Sequence, residues 1–187
     1  MEAIRHTHPD LVTQVQNAPG RSGGGFPTVK IGEVLRTLAD ELVPLRDLPL
    51  ILSGLSCMSY QPTPQEPPSE EIRRHIRPLI VASAESAPGK VLTVEVTPML
   101  ARRLAATERT GDSSALEHFR AQWESQGLGT GRLPQRIAIL VSNLDGDRLR
   151  IRRLLRHHLP MVPVITTDDL PPGTDREIFA TIGDVDE

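Results

Sequence analysis

The sequence predicts an α+β fold, a helical block followed by a small α/β sheet block. Three observations carry this. Apolar residues recur at helical spacing from Ile31 to Ile80. Two aliphatic, partly β-branched runs stand at 91–96 and 137–141. Helix signatures alternate with these runs and with two further short ones, the pattern of helices packed on a small sheet.

A length of 187 residues suits one or two small domains. The hydrophobic share of 38% can fill a core, and aromatics at only 3% make that core aliphatic. A net charge of -3 argues against a nucleic-acid binder driven by bulk charge. A single cysteine, Cys57, excludes an internal disulfide framework and any multi-cysteine metal site. Following a leucine-rich helix, it reads as a buried or half-buried inert thiol. The segment Met1–His6 lacks the apolar run of a signal peptide. The longest apolar-leaning stretch, Leu48 to Tyr60, falls far short of the roughly 20 residues that span a bilayer. The expectation is a cytoplasmic chain.

Three segments follow: a tail and linker at 1–28, a helical subdomain at 29–89 and an α/β subdomain at 90–187. In the first, Pro19, Gly20 and Gly23-Gly24-Gly25 cannot hold regular structure cheaply. In the second, Ile31, Val34, Leu35, Leu38 and Leu42 share one helical face, and Val43-Pro44 ends that helix. Asp47 is the N-cap of the next helix, which buries Leu48, Ile51, Leu52 and Leu55, with Gly54 admitting a close neighbour. Prolines at 62, 64, 67 and 68 mark a loop, after which Ser69 caps a third helix that Pro78 kinks or splits.

In the third segment, Val91–Val96 is a strand and Thr97-Pro98 starts a helix with proline at its first position. A helix from Ser114 to Gln126 buries Leu116, Phe119 and Trp123 and stops at Gly127. Ile137–Val141 is a buried strand. A helix at Arg148–Leu159 follows, then strands at Pro163–Thr166 and Ile178–Ile182.

No catalytic, cofactor-binding or metal residues emerge. Gly127, Gly129 and Gly131 lie after a helix and before a strand, the reverse of a phosphate loop. Asn143-Leu144-Asp145-Gly146-Asp147 resembles part of a calcium loop, but arginines stand where further oxygen ligands belong. His157 and His158 are adjacent on a helix, about 100° apart, and cannot chelate one ion together. The helix at 148–159 divides its residues. Ile151, Leu154, Leu155 and Leu159 share one side, and Arg150, Arg152, Arg153, Arg156 and His157 share the other. Arg150, Arg153 and Arg156 are therefore a candidate partner surface. A nucleic-acid-binding or regulatory module using this basic helix is the alternative, weakened by the absence of aromatics for base stacking.

The residues Gly32-Glu33-Val34-Leu35-Arg36-Thr37-Leu38, then Val43-Pro44-Leu45-Arg46-Asp47-Leu48, then Ile51-Leu52 and Leu55, resemble the type III secretion export-gate family (FHIPEP, FlhA/SctV type). The turn Val43, Pro44, Leu45, Arg46, Asp47, Leu48 is the most specific point. His8-Pro9-Asp10-Leu11-Val12, Ile72–Ile80, Ile137–Ser142, Arg152-Arg153-Leu154-Leu155, Leu159-Pro160 and Val164-Ile165 continue the resemblance in order. It implies the third and fourth subdomains of a C-terminal cytosolic domain, without the membrane part or first two subdomains. The implied function is docking for protein export, flagellar or virulence, and not catalysis. Implied partners are secretion-apparatus proteins, with export substrates or chaperones, although much of the chaperone surface belongs to the first two subdomains. A ring is implied for the full-length protein, and a monomer or weak oligomer for this chain alone. No nucleic acid, direct membrane insertion or cofactor is implied.

Overall fold

In a computed structural model, residues 28–58, 68–129, 136–142 and 147–183 are described, with Pro9, Asp10, Thr13 and Val15 before them. The chain divides into two compact units, Met1–Ile80 and Val81–Glu187.

The first unit is helical. Helix α1 (Thr28–Asp40) buries Ile31, Val34, Leu35 and Leu38, the face that their spacing marks. Leu42, placed on that face by spacing alone, is instead only half-buried in the turn beyond the helix, with φ 66°. Helix α2 (Leu48–Cys57) buries Ile51, Leu52, Gly54 and Leu55. A Cβ at Gly54 would lie 3.1 Å from the Cβ of His75 and 3.3 Å from Ile72 Cγ1. That glycine sets how closely the next helix approaches. Cys57, at the end of α2, is exposed and not buried. The apolar positions of α2 repeat at 51, 52 and 55, so the helical phase carries residue 57 outward.

The third helical stretch is split. Helix α3 (Pro68–Arg73) ends one turn before α4 (Arg77–Ala84), and Pro78 takes the second position of α4, where its missing N–H costs nothing. Ser69 lies inside α3, buried at 4% exposure, and is not its cap, because proline at 68 already starts the helix. Ile72, Ile76, Leu79 and Ile80 are buried.

The second unit is a five-stranded sheet with helices on it. Strand β1 (Glu85–Ala87) turns through Pro88-Gly89 into β2 (Lys90–Val96) as an antiparallel pair. Helices α5 (Pro98–Thr110) and α6 (Ser114–Ser125) follow, then β3 (Ala138–Val141), α7 (Asp147–Leu155), β4 (Val164–Thr166) and β5 (Asp175–Ile182). β3 runs parallel to β2 and to β4. β5 pairs in parallel with β2 along Lys90–Val96. Since β5 fills that whole edge, β1 and β3 share the other one. The helix-to-strand order was readable from sequence, but β1 is too short and polar to announce itself.

Leu92, Val94 and Val96 of β2 join Ile139, Val141, Val164 and Ile182 in one apolar cluster with Leu100 and Leu104 of α5, Phe119 and Trp123 of α6, and Ile151 and Leu155 of α7. Phe119 and Trp123 stack with ring centroids 5.6 Å apart. Leu116, expected in this core, is only partly buried against it. At its far end β5 is locked by hydrogen bonds to the start of α5 and to the end of α6, with Gln122 Nε2 also reaching Gly183 O at 3.4 Å. Thr97 N–H donates to Ile182 O (2.9 Å), Gly183 N–H donates to Gln122 Oε1 (2.7 Å), and Gln126 Nε2 donates to Thr181 O (2.7 Å). A Cβ on Gly183, whose φ is 138°, would meet Thr97 Oγ1 at 2.0 Å, so only glycine lets the strand end pass here.

Asp112, just before α6, accepts from Ser114 N and Oγ, both at 2.9 Å. The backbone bond first, then the hydroxyl, hold its carboxyl below the ordinary value of 3.8. A depressed carboxyl contributes stability that is present above its unfolded pKa and lost as pH falls through its folded one. Titration by NMR should therefore place the Asp112 midpoint below 3.8, and Ser114→Ala should move it upward. A midpoint at or above 3.8 would contradict this anchoring of α6.

Candidate docking surfaces

The turn after α1 is built from four backbone bonds, one of them Glu41 N to Leu38 O at 3.2 Å. In the other three, Glu41 N donates to Thr37 O (3.0 Å), Leu42 N to Ala39 O (3.0 Å) and Val43 N to Leu38 O (2.9 Å). The last two are the paired bonds of a Schellman closure, with Leu42 in the left-handed position that glycine usually fills. Val43 and Leu38, at 4% and 0% exposure, supply the apolar contact that accompanies such a closure. A non-glycine residue at positive φ costs about 1–2 kcal/mol, so the surroundings must hold it.

They do so through a buried ion pair. Arg73 Nη1 of α3 donates to Glu41 Oε2 at 2.6 Å, with both side chains at 5% exposure or less. Removing either partner would strand a buried charge, which costs several kcal/mol. The turn is thus pinned from beneath, while its tip faces outward: Leu45 is 36% exposed, and Arg46 and Asp47 are exposed. Asp47 caps α2 as its position implied, accepting from Leu50 N at 3.2 Å, with Pro49 in the first turn. Of the six turn residues, Val43 serves the core, Asp47 serves the helix start, and Leu45 and Arg46 are presented to solvent. Sequence reasoning missed Glu41 and Arg73, because 32 residues separate them.

In the second unit the arginines of α7 divide differently from the expectation. Arg152 is buried at 4% exposure and does not belong to the solvated face. Its guanidinium donates to Leu159 O (3.2 Å), Val162 O (3.2 Å) and Pro160 O (3.0 Å). Arg148, also buried, donates to Val164 O at 3.2 Å. The helix stops at Leu155, earlier than the apolar period suggested, and the chain from 156 to 163 curls back over its end. The carbonyls left there need donors, and a five-donor guanidinium from the preceding turn supplies them. A helical wheel counts charge, and has no means of showing that the chain folds back across it.

Arg150 donates to Asp147 Oδ1 at 2.9 Å and is partly exposed. Arg153, 55% exposed, lies 3.9 Å from Glu108 Oε1 of α5, and Arg156 is exposed. Arg102, Arg103 and Arg109 of α5 are exposed as well, so α5 and α7 together present more arginines than carboxylates, while α6 presents Glu117 and Glu124 against Arg120. The carboxyl-terminal ends of β2 and β3 border a cleft of about 240 Å³ lined by Glu95, Thr97, Ser142, Thr167 and Arg176. Glu95 and Arg176 pair across it at 3.4 Å. Among the described residues no group of histidine, cysteine and acidic side chains could hold a metal ion. Gly131 and residues 143–146, which carried the phosphate-loop and calcium-loop resemblances, lie outside the described residues.

A model of the FHIPEP family matches residues 1–175. The chain belongs to the FHIPEP family. No curated protein matches the sequence. Among solved structures, the Chlamydia pneumoniae CdsV protein is similar with a TM-score of 0.72 at 17% identity, covering 97% of this chain and 52% of that one. The Shigella flexneri MxiA protein gives 0.69 at 20% identity, with 97% and 58% covered. The nonameric EscV cytosolic domain from the type III secretion system gives 0.64 at 20% identity, with 98% and 54% covered. The FHIPEP chain spans a little over half the length of these relatives, and at such identities the likeness is one of fold.

The burial contrast yields a paired test. Arg152→Ala should cost about 3 kcal/mol, because it leaves buried carbonyls without donors, whereas Arg153→Ala should stay within about 0.5 kcal/mol. In the first unit, Asp47→Ala should cost about 1 kcal/mol and Leu52→Ala about 2–5 kcal/mol. Urea denaturation of the four variants checks the order. Equal losses at 152 and 153 would contradict the division of the α7 arginines.

Proposed function

We propose that this FHIPEP chain is a docking segment of a type III secretion export gate, acting in protein export through protein–protein contacts without catalysing a reaction. The observation that carries the reading is the family membership over residues 1–175, together with the fold shared with a type III secretion cytosolic domain. The geometry agrees with it. The Leu45-Arg46 tip is displayed on a buried ion pair, and neither it nor the arginine face with Arg150, Arg153 and Arg156 converges on a reacting atom. Rigid presentation lowers the ordering cost of association.

The segment works at the cytosolic face of the membrane as part of a larger protein. None of the helices described here is long and apolar enough to cross a membrane. Its partners are secretion-apparatus components, export substrates and chaperones. CdsV has been solved in complex with CdsO, which supports a partner drawn from the apparatus. The nonameric state of the EscV domain supports a ring for the longer protein. The segments proposed to divide this work are a tail and linker at 1–28, the helical part at 29–89 and the α/β part at 90–187.

Deleting the coding region for this chain should abolish type III export from its host while growth continues, and unimpaired export would overturn the docking reading. In dilute solution the isolated chain should be monomeric or weakly associated, since it spans little more than half of its ring-forming relative. A stable nonamer in light scattering at micromolar concentration would show that this half suffices for assembly.

A further inference from the structure

The carboxyl-terminal ends of the parallel strands carry a row of hydroxyl groups. Glu95 of β2 stands in register with Thr181 of β5 and Leu140 of β3, and Leu140 with Ile165 of β4. Side chains two residues apart on a strand share a face. Thr97, Ser142 and Thr167, each the first residue past its strand, therefore continue this row side by side. With Thr181, Glu95 and Arg176 they line the cleft of about 240 Å³ at this end of the sheet.

These four hydroxyls are the ones the fold leaves unused. The other described serines and threonines of the second unit are all engaged, Thr93, Thr107, Thr166 and Thr174 among them. Thr97, Ser142, Thr167 and Thr181 make no side-chain hydrogen bond among the described residues. Thr97 Oγ1 and Ser142 Oγ are also shut off from bulk water, a state that costs free energy until a partner arrives. One χ1 rotation re-aims either oxygen. Thr97 occupies the N-cap of the 13-residue helix α5 without making a cap bond, which leaves the N–H groups of Met99 and Leu100 for another acceptor.

The cleft also holds a loosely paired charge. Arg176 meets Glu95 at 3.4 Å, longer than the roughly 2.7–2.9 Å of a charge-assisted bond, and both side chains are about one-third exposed. A five-donor guanidinium engaged in this way can take a second carboxylate. We propose that the cleft holds the carboxyl-terminal residue of a partner polypeptide. Its α-carboxylate is met by Arg176, by the hydroxyls of Thr97 and Ser142 and by the start of α5, whose dipole favours an anion. Its last peptide N–H donates to Glu95. A simple anion would satisfy Arg176 but be repelled by Glu95, and an amidated chain end would leave Arg176 and the helix start without a charge. A carboxylate whose neighbouring carbon bears an N–H answers both. The proposal rests on the docking reading above, which makes the source of that group a protein.

Acetylated trialanine with a free carboxyl end is the probe, and its amide is the control. Titrated into the whole isotope-labelled chain, the free acid should shift the NMR amide signals of Met99, Ser142 and Thr181 and bind about tenfold more tightly than the amide. Arg176→Gln and Ser142→Ala should each reduce that preference, with an unchanged melting curve showing the fold intact. Thr167→Val, at an exposed position, should reduce it too and serves where either of the others fails to fold. Equal affinity for acid and amide, a preference that survives all three substitutions, or shifts confined to the exposed arginines of α5 and α7 overturns the proposal. So does binding of free alanine as tight as that of the tripeptide, which would make the ligand a small molecule. If export fails to depend on this chain at all, the docking reading falls. If export does depend on it while acid and amide are not distinguished, only the chain-end proposal falls.

Discussion

The burial of β2 is the constraint on which the second unit depends. Its seven residues pair with β5 along one edge and with β1 and β3 along the other. Leu92, Val94 and Val96 face the helices, and Val91 and Thr93 on the opposite side are also fully buried. A strand enclosed on both faces and both edges has almost no freedom to slip, because a shift of one residue would exchange its two faces. Thr93 shows how polar groups are accommodated there, its hydroxyl donating to Glu177 O at 3.2 Å. The positions of α5, α6 and α7 follow from this strand, and with them the placement of the exposed arginines of α5 and α7.

The helical unit rests on a different device. The helix end just before the 43–48 turn places Leu42 at positive φ, a local cost that the Glu41–Arg73 pair and the Val43–Leu38 contact offset. Buried ion pairs are a weak source of net stability, but they penalise every arrangement in which one partner is left alone. Here that penalty fixes where the tip of the turn points. A docking surface benefits from such rigidity, since less order must be imposed when a partner arrives.

Arginine serves two opposed purposes within α7. Arg148 and Arg152 are internal donors that close the chain over the helix end. Arg153 and Arg156 project to solvent from the same short stretch. The guanidinium group suits both roles because it stays charged and offers several donors in fixed directions. A basic helix is therefore not in itself a measure of exposed charge.

The sequence by itself determined the class of fold, the apolar faces of α1 and α2, the cap at Asp47, the interruption at Pro78 and the buried strands β2 and β3. These follow from local spacing, turn chemistry and proline stereochemistry, all of which act over a few residues. The turn at 43–48 also carried the family resemblance, since a motif is local too. Tertiary structure alone decided the pairing of Glu41 with Arg73, the burial of Arg152, the exposure of Cys57 and the placement of β5 beside β2. Each of these depends on which distant carbonyl, carboxylate or strand edge the folded chain brings within reach, and no periodicity along the sequence encodes that distance.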